Sequence, residues 1–451
     1  MSALARHFLH QNIPVFGFDR IKTALTEALE KEGALLCYTE DVSAYPGWSE
    51  VETTVIYTPA IASTHPWRLF FEAYKPIKRA AALGQLTKGY KTLAVAGTHG
   101  KTSTSAILTH LLTSAGLNPT AFIGGILSAS GTNYRLGDGP WMIVEADEFD
   151  RSFLHLHPNA AAITTTDADH LDIYDDETDL NNTFDAFIKQ VEGPTFTGTG
   201  LKKTTAVGST GNHSFATNIH ANQGSYTFTL HLGNDHFETK LFMPGKHNVY
   251  NAVLAAALAH HAGVSLEQIA AALPTFEGIQ RRFEYHLKGN TTLIEDYAHH
   301  PTELKALIDS LNELYPEKNI LLCFQPHLYT RTRDFFNGFV TQLKRVHRCI
   351  LLPIYAAREH PIEGIHSTAL AAQIPGAKTC NLEALPQAVR KEKYDVVLVV
   401  GAGDIGHTVP QLKAVYDEKE TAFIYRFKYH LRCRTDFQRC AEHATLEKCS
   451  L

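Results

Sequence analysis

The strongest chemical signal in this chain lies in Gly97-Thr98-His99-Gly100-Lys101-Thr102-Ser103, directly after the apolar run Thr92–Ala96. Glycines let backbone N–H groups close around an anion, and a helix starting near Lys101 turns its positive end toward that anion. Lys101 adds a full charge, and the Thr102 hydroxyl can ligate Mg²⁺. The segment therefore predicts a nucleoside-triphosphate-binding turn running from Gly97 through Ser103. It has two residues fewer than G-x-x-x-x-G-K-[ST] and is also compatible with an ordinary strand-turn-helix, so the surrounding clusters must decide.

Two acidic clusters follow strand-like runs in the same region. Trp141–Val144 leads into Glu145-Ala-Asp147-Glu148-Phe-Asp150, and Ala161–Thr165 leads into Asp167-Ala-Asp169-His170-Leu-Asp172. In open α/β sheets ligands sit beyond the carboxyl ends of strands, where such carboxylates would face the nucleotide's Mg²⁺; an acidic surface loop is the alternative. Asn248 and Asn251 share one face of an alanine-rich helix, although Asn248 could serve simply as an N-cap. Farther on come Arg281-Arg282-Phe283, then Asp296-Tyr297-Ala-His299-His300-Pro301-Thr-Glu303, then Gln325-Pro-His327-Leu328-Tyr-Thr-Arg331-Thr-Arg333. Arginines match carboxylate and phosphate geometry, so this region is expected to present cations to an acidic, phosphorylated substrate.

The elements needed to position these groups alternate between strand and helix patterns throughout, which predicts an α/β chain. Residues 1–89 read as a wound α/β domain with Asp19 after a strand at 14–18 and Thr58 after another at 53–57. Residues 90–275 read as a central ATP-binding domain, with short antiparallel strands over 193–233. Residues 276–416 read as a third α/β domain with a parallel sheet, and 417–451 as an atypical tail.

Composition narrows the classes. The 451 residues are 44% hydrophobic and 20% charged, with a net charge of −6, which offers no basic footprint for nucleic acid. No run of eighteen apolar residues and no charged-then-apolar leader is visible, so neither membrane insertion nor secretion is expected and the cytoplasm is the expected location. Seven cysteines without C-x-x-C pairs argue against a zinc site or a disulfide framework.

With the clusters in this order, the chain resembles the Mur ligases, the ATP-dependent amide-bond-forming enzymes of peptidoglycan precursor synthesis. The resemblance covers about residues 1–415 and rests on Gly97–Thr102, Glu145–Leu154, Asp167–His170, Asp296–Glu303 and Gln325–Arg331. It implies a Rossmann-like N-terminal domain for a UDP-linked substrate, a central P-loop-type ATPase and a Rossmann-like C-terminal domain. The implied reaction joins L-alanine to the carboxylate of UDP-N-acetylmuramate through an acyl phosphate; a ligase for a recycled tripeptide is the alternative. By the same resemblance, Lys101 grips the phosphates, and Thr102, Glu145 and His170 serve Mg²⁺ or Mn²⁺. Asn248, Asn251, Arg282 and Asp296 serve the nucleotide, while Tyr297, His299, Arg331 and Arg333 orient the substrate carboxylate and L-alanine. His299 could instead assist proton removal from the amine. Lys101→Ala is expected to abolish phosphate release without unfolding the chain, and a monomer or weak homodimer is expected.

Three departures accompany the resemblance. Family members open with a strand and a Gly-x-Gly-Gly-x-Gly-Met loop, and this chain starts at the position of that methionine. UDP binding is then expected to rest on Asp19 and Thr58, and an ATP-binding product without ligase activity is a third reading. Leu328 stands where many members have arginine, and the tail has no counterpart.

Overall fold

The computed structural model describes residues 1–59, 61–167, 174, 176–197, 214–222, 224–357, 359–391 and 393–416. They divide into two compact units, with the boundary between Gln280 and Arg281.

The first unit is organised around a six-stranded sheet in the order Thr195–Thr197, Ala160–Ile163, Lys91–Ala96, Trp141–Glu145, Thr120–Phe122, Tyr134–Arg135. All neighbours are parallel except the last pair. A parallel strand covered on both faces must be apolar on both, and Leu93, Ala94, Val95 and Ala96 are fully buried. Their side chains alternate. Leu93, Val95 and Ile143 pack with helices Lys101–Ser114 and Lys246–His261, whereas Ala94, Ala96 and Val144 pack with Ala82, Phe184 and Phe187 on the other face.

Ahead of this sheet lie the helix Ser2–His10 and two small parallel pairs, Phe16–Phe18 with Leu35–Cys37 and Ile56–Tyr57 with Ile77–Lys78. The antiparallel strands expected over 193–233 are present as Ser214–Asn222, Ser225–Leu232 and Asp235–Leu241. Thr195–Thr197 differs, because it joins the parallel sheet beside Ala160–Ile163.

The second unit is another six-stranded sheet, ordered Glu284–Leu287, Thr292–Asp296, Val396–Val400, Ile320–Phe324, Arg348–Leu351, Lys378–Thr379. It is parallel apart from the first strand. Two short helices, Tyr329–Asp334 and Phe336–Leu343, meet at Phe335, with Thr332 packed inward on the first and Phe339 and Leu343 on the second. No helix among the described residues is long and apolar enough to cross a membrane.

Candidate active site

Lys91–Ala96 lies between Ala160–Ile163 and Trp141–Glu145, so the chain leaves its carboxyl end at the point where the connections diverge to either side. The turn begins at Gly97, whose φ of 125° is open to glycine; a Cβ there would stand 2.8 Å from the Thr165 amide nitrogen. The Thr98 hydroxyl meets that of Thr165 at 2.8 Å, and the His99 N–H donates to the same oxygen at 3.1 Å. Gly100 has φ 86° and sits against the Asn251 amide, where a Cβ would approach Oδ1 to 2.5 Å. The helix Lys101–Ser114 therefore starts from a glycine with no side-chain cap, leaving its first amides available to an anion. Thr98 and Ser103 are buried within this turn.

Lys101 Nζ donates to the carbonyls of Gly97 (2.7 Å) and Thr98 (3.3 Å) and to both oxygens of Glu148 (2.9 and 2.7 Å). Burial pulls the ammonium pKa down, and Glu148, then Asp147 and Glu145, more than offset this, leaving it raised. Glu148 is fully buried. It is held from behind by Tyr174, whose hydroxyl donates to the Glu148 carbonyl at 2.6 Å. The sequence placed Glu148 in an acidic run without giving it a task, and no spacing signal singles it out from Asp147 or Asp150.

Glu145 ends its strand against Thr102, whose hydroxyl donates to Oε1 at 2.9 Å, while Gly124 N donates to Oε2 at 2.6 Å. A Cβ at Gly124 would overlap Oε1, so a side chain there would displace this carboxylate. The two oxygens 2.9 Å apart match one edge of an octahedron with Mg–O bonds of ~2.1 Å, so Thr102 and Glu145 fit a hard divalent cation. His170, expected beside them, lies outside the described residues, as does the 417–451 tail. Asp167 is described, and its carboxylate stands 3.9 Å from His99 Nε2.

Asn248 is buried, and its amide donates to Pro244 O at 2.6 Å and accepts from Asn251 at 3.2 Å. The N-cap position belongs instead to Gly245, so the capping alternative for Asn248 does not hold. Asp19 and Thr58 each follow the last residue of a short strand, Asp19 exposed and accepting from Ile21 N at 3.2 Å.

In the second unit the expected residues collect at the carboxyl ends of Thr292–Asp296 and Ile320–Phe324. Asp296 accepts from Phe283 N and Ala298 N, both at 2.8 Å. Burial nevertheless lifts its carboxyl to about 6, against the pull of Arg282 and those two amides. Tyr297 carries the guanidiniums of Arg281 and Arg282 near its ring, 4.9 and 5.2 Å from the centroid. His299 Nδ1 lies 3.0 Å from Tyr297 O and 3.2 Å from Glu303. Its ring stands 6.0 Å from that of His327, which stacks on Tyr355 and meets Arg331 at 3.2 Å. Burial, then His299 and Arg331, depress His327 to about 4, so it is neutral at pH 7.

Arg331 is buried in this group, but Arg333 is not part of it. Two residues along a helix rotate a side chain to the opposite face, and Arg333 is half exposed and pairs with Asp334 at 2.7 Å. A further feature passed over in the sequence is Gly401-Ala-Gly403-Asp-Ile-Gly406 after Val396–Val400. Its G-x-G-x-x-G spacing could suggest a phosphate turn. Here Gly401 N donates to Asp296 O and Ile405 N to Gln325 Oε1, so these amides serve packing within the unit.

The family model for the Mur ligase middle domain matches residues 95–259, and that for the Mur ligase glutamate ligase domain matches residues 281–403. A UDP-N-acetylmuramate–L-alanine ligase of Christiangramia forsetii is 42% identical over 426 residues, covering 92% of this chain and 94% of that protein. The enzyme of the same name from Flavobacterium psychrophilum is 42% identical, covering 93% and 96%. Among solved structures, the UDP-N-acetylmuramate-alanine ligase of Thermotoga maritima superposes with a TM-score of 0.78 at 26% identity, covering 93% of this chain and 97% of its own.

Proposed function

The chain belongs to the Mur ligase family, ATP-dependent ligases that form amide bonds, and from that premise we propose that it joins L-alanine to the carboxylate of UDP-N-acetylmuramate. The observation that carries the reading is the Lys101–Thr102 step on an uncapped helix start, with one carboxylate committed to each side chain. The choice of acceptor rests on the relatives' names.

A carboxylate resists attack by an amine until one oxygen becomes a leaving group. The γ-phosphoryl of ATP passes to the muramyl carboxylate, releasing ADP and forming an acyl phosphate. The L-alanine amine then attacks the carbonyl carbon, the tetrahedral intermediate expels phosphate, and one proton leaves the nitrogen. Charge spreads over the phosphoryl oxygens during transfer, so catalysis rests on positioned cations. Lys101 supplies one once its ammonium, held by Glu148, turns from the loop carbonyls to the phosphates. Thr102 and Glu145, with His170 by the family resemblance, would hold Mg²⁺, which would supply further neutralisation of the phosphates.

Asn248, Asn251, Arg282 and Asp296 are assigned to the nucleotide, and Tyr297, His299 and Arg331 to the carboxylate and the incoming amine. Asp19 and Thr58 are assigned to the UDP portion. Nδ1 of His299 lies against Tyr297 O and Glu303, which orients the imidazole assigned to take the amine proton. Exposed Arg333 is left out of this assignment.

The test is phosphate release from ATP with UDP-N-acetylmuramate and Mg²⁺, comparing L-alanine, a tripeptide and no acceptor. Release dependent on L-alanine is expected. Release only with tripeptide would transfer the reading to a peptide-recycling ligase, and silence in every mixture would overturn it.

A further inference from the structure

Glu284 and Glu295 face each other directly across an antiparallel strand pair, and His286 projects beside them. Opposed like charges are unfavourable, so this arrangement needs a cation. Among metal-ligating side chains the trio could hold a divalent ion, but Arg281 already supplies the charge. Its backbone N–H donates to Glu284 Oε2 at 2.7 Å, while the charge of its side chain goes to Glu295, Nε lying 2.7 Å from Oε1. His286 Nε2 meets the other Glu295 oxygen at 2.9 Å. The guanidinium continues past the carboxylate and donates to the carbonyls of Gly401 (2.6 Å) and Gly403 (3.1 Å). Gly406 makes room for this ion pair, since a Cβ there would overlap Glu295 Oε1 and come within 3.4 Å of Arg281 Cζ.

Arg281 is also the first residue of the second unit and has φ 59°, with Phe283 at φ 50°. Arg282 is thus carried on a short arch. One foot is tied by Arg281 to two strands and the Gly401–Gly406 turn. The other is tied by Phe283, whose ring is buried and whose N–H donates to Asp296 at 2.8 Å. We infer that Arg281 is a positioning residue for the Mur ligase reaction: it holds the arch so that Arg282 and the Asp296 carboxylate are presented to the nucleotide at fixed separation. The ion pair between half-buried Arg281 and buried Glu295, together with the guanidinium's hydrogen bonds to the Gly401 and Gly403 carbonyls, favours one geometry because each alternative leaves the Glu295 carboxylate without its cation. The inference rests on the assignment of Arg282 to ATP.

The experiment measures ATP kinetics of phosphate release for wild type, Arg281→Ala, Arg281→Lys, Arg282→Ala and the double alanine variant, with thermal midpoints alongside. Arg281→Ala is expected to raise KM for ATP about 10-fold with kcat changed less than about 3-fold, and Arg281→Lys to recover only part of the loss. The double variant should be no worse than Arg282→Ala, because Arg281 acts through Arg282. Should Arg281→Ala fail to fold, the isosteric Glu295→Gln carries the test through a smaller rise in the same KM. Wild-type KM in Arg281→Ala, or effects that add in full in the double variant, would overturn the inference. Wild-type kinetics in Arg282→Ala would remove its premise and the inference with it, whereas a silent wild type would overturn the proposed function.

Discussion

The phosphate turn of the first unit and the polar cluster of the second handle charge in opposite ways. In the turn, a buried cation and a buried anion meet: Lys101 sits on both oxygens of fully buried Glu148. In the cluster, Asp296 lies in the field of Arg282 and accepts from two backbone amides, yet burial outweighs all three and lifts its carboxyl to about 6. Burial also penalises the Lys101 ammonium, but there the carboxylates of Glu148, Asp147 and Glu145 more than offset it. The lesson is that the balance between desolvation and the charge of the partners decides which charge a site carries at pH 7.

The most severe test of this contrast removes one partner of the buried pair. Lys101→Ala should abolish phosphate release, and it should also cost ~3–5 kcal/mol of stability because Glu148 is left buried and unpaired. This revises the sequence-based expectation of an intact fold. Lys101→Met combined with Glu148→Gln should restore most of the denaturation midpoint and none of the activity. Equal midpoints for the single and double variants would count against the buried-pair account.

Next in size is the backbone of the turn. Gly97→Ala forces a left-handed residue and a Cβ 2.8 Å from the Thr165 amide nitrogen, so a loss of at least ~2–3 kcal/mol is expected, with weakened ATP binding in calorimetry. A surface glycine such as Gly116, with open space around its Cβ, should show only the left-handed strain of ~1–2 kcal/mol.

The titrating pair of the second unit gives a smaller, signed effect. Asp296 is raised to about 6 in the folded chain, so its contribution is full below about pH 4 and is lost as pH rises through 6. His327 is depressed to about 4, so its contribution is full above about 6.5 and is lost as pH falls toward 4. Each full shift corresponds to ~3 kcal/mol, and partial exposure of both side chains reduces this to ~1–2 kcal/mol. Between pH 4 and 6 the two oppose each other in the wild type. Asp296→Asn should therefore steepen the loss of stability on acidification, and His327→Gln should leave a stability that declines as pH rises to 6. Denaturant midpoints at pH 4 to 7.5 check both signs.

The smallest effect concerns exposed charges outside either region. Lys305 pairs with Asp309 at 2.7 Å on the surface of the helix Pro301–Leu314, and Lys305→Ala should change stability by less than ~0.5 kcal/mol. A larger change would show that exposed pairs matter here as the buried ones do.

Much of the architecture was legible because parallel strands announce themselves. Val396–Val400 and Thr92–Ala96 are apolar on both faces, and the polar runs at their carboxyl ends mark where ligands sit in such sheets. Helix Pro301–Leu314 starts on equally local chemistry, since His300, Pro301 and Glu303 make a capping box. The phosphate turn was legible as well, because its glycines, lysine and threonine act on one another within a few residues. Local chemistry of this sort is written in spacing, and the sequence by itself determined the family and the α/β class and pointed to Lys101, Thr102 and Glu145 as the residues proposed for the phosphates and the cation.

Partners brought from a distance were not readable. Nothing in the order of residues says that Glu148 rather than Asp147 or Asp150 receives Lys101, that Arg333 turns outward while Arg331 turns in, or that Gly401–Gly406 wraps Arg281 with carbonyls instead of holding phosphate with amides. Those outcomes depend on strand order, helix phase and which atom of a backbone unit faces the neighbour. Pairing across 47 or 120 positions is fixed only when packing has excluded water and left each buried charge one place to go.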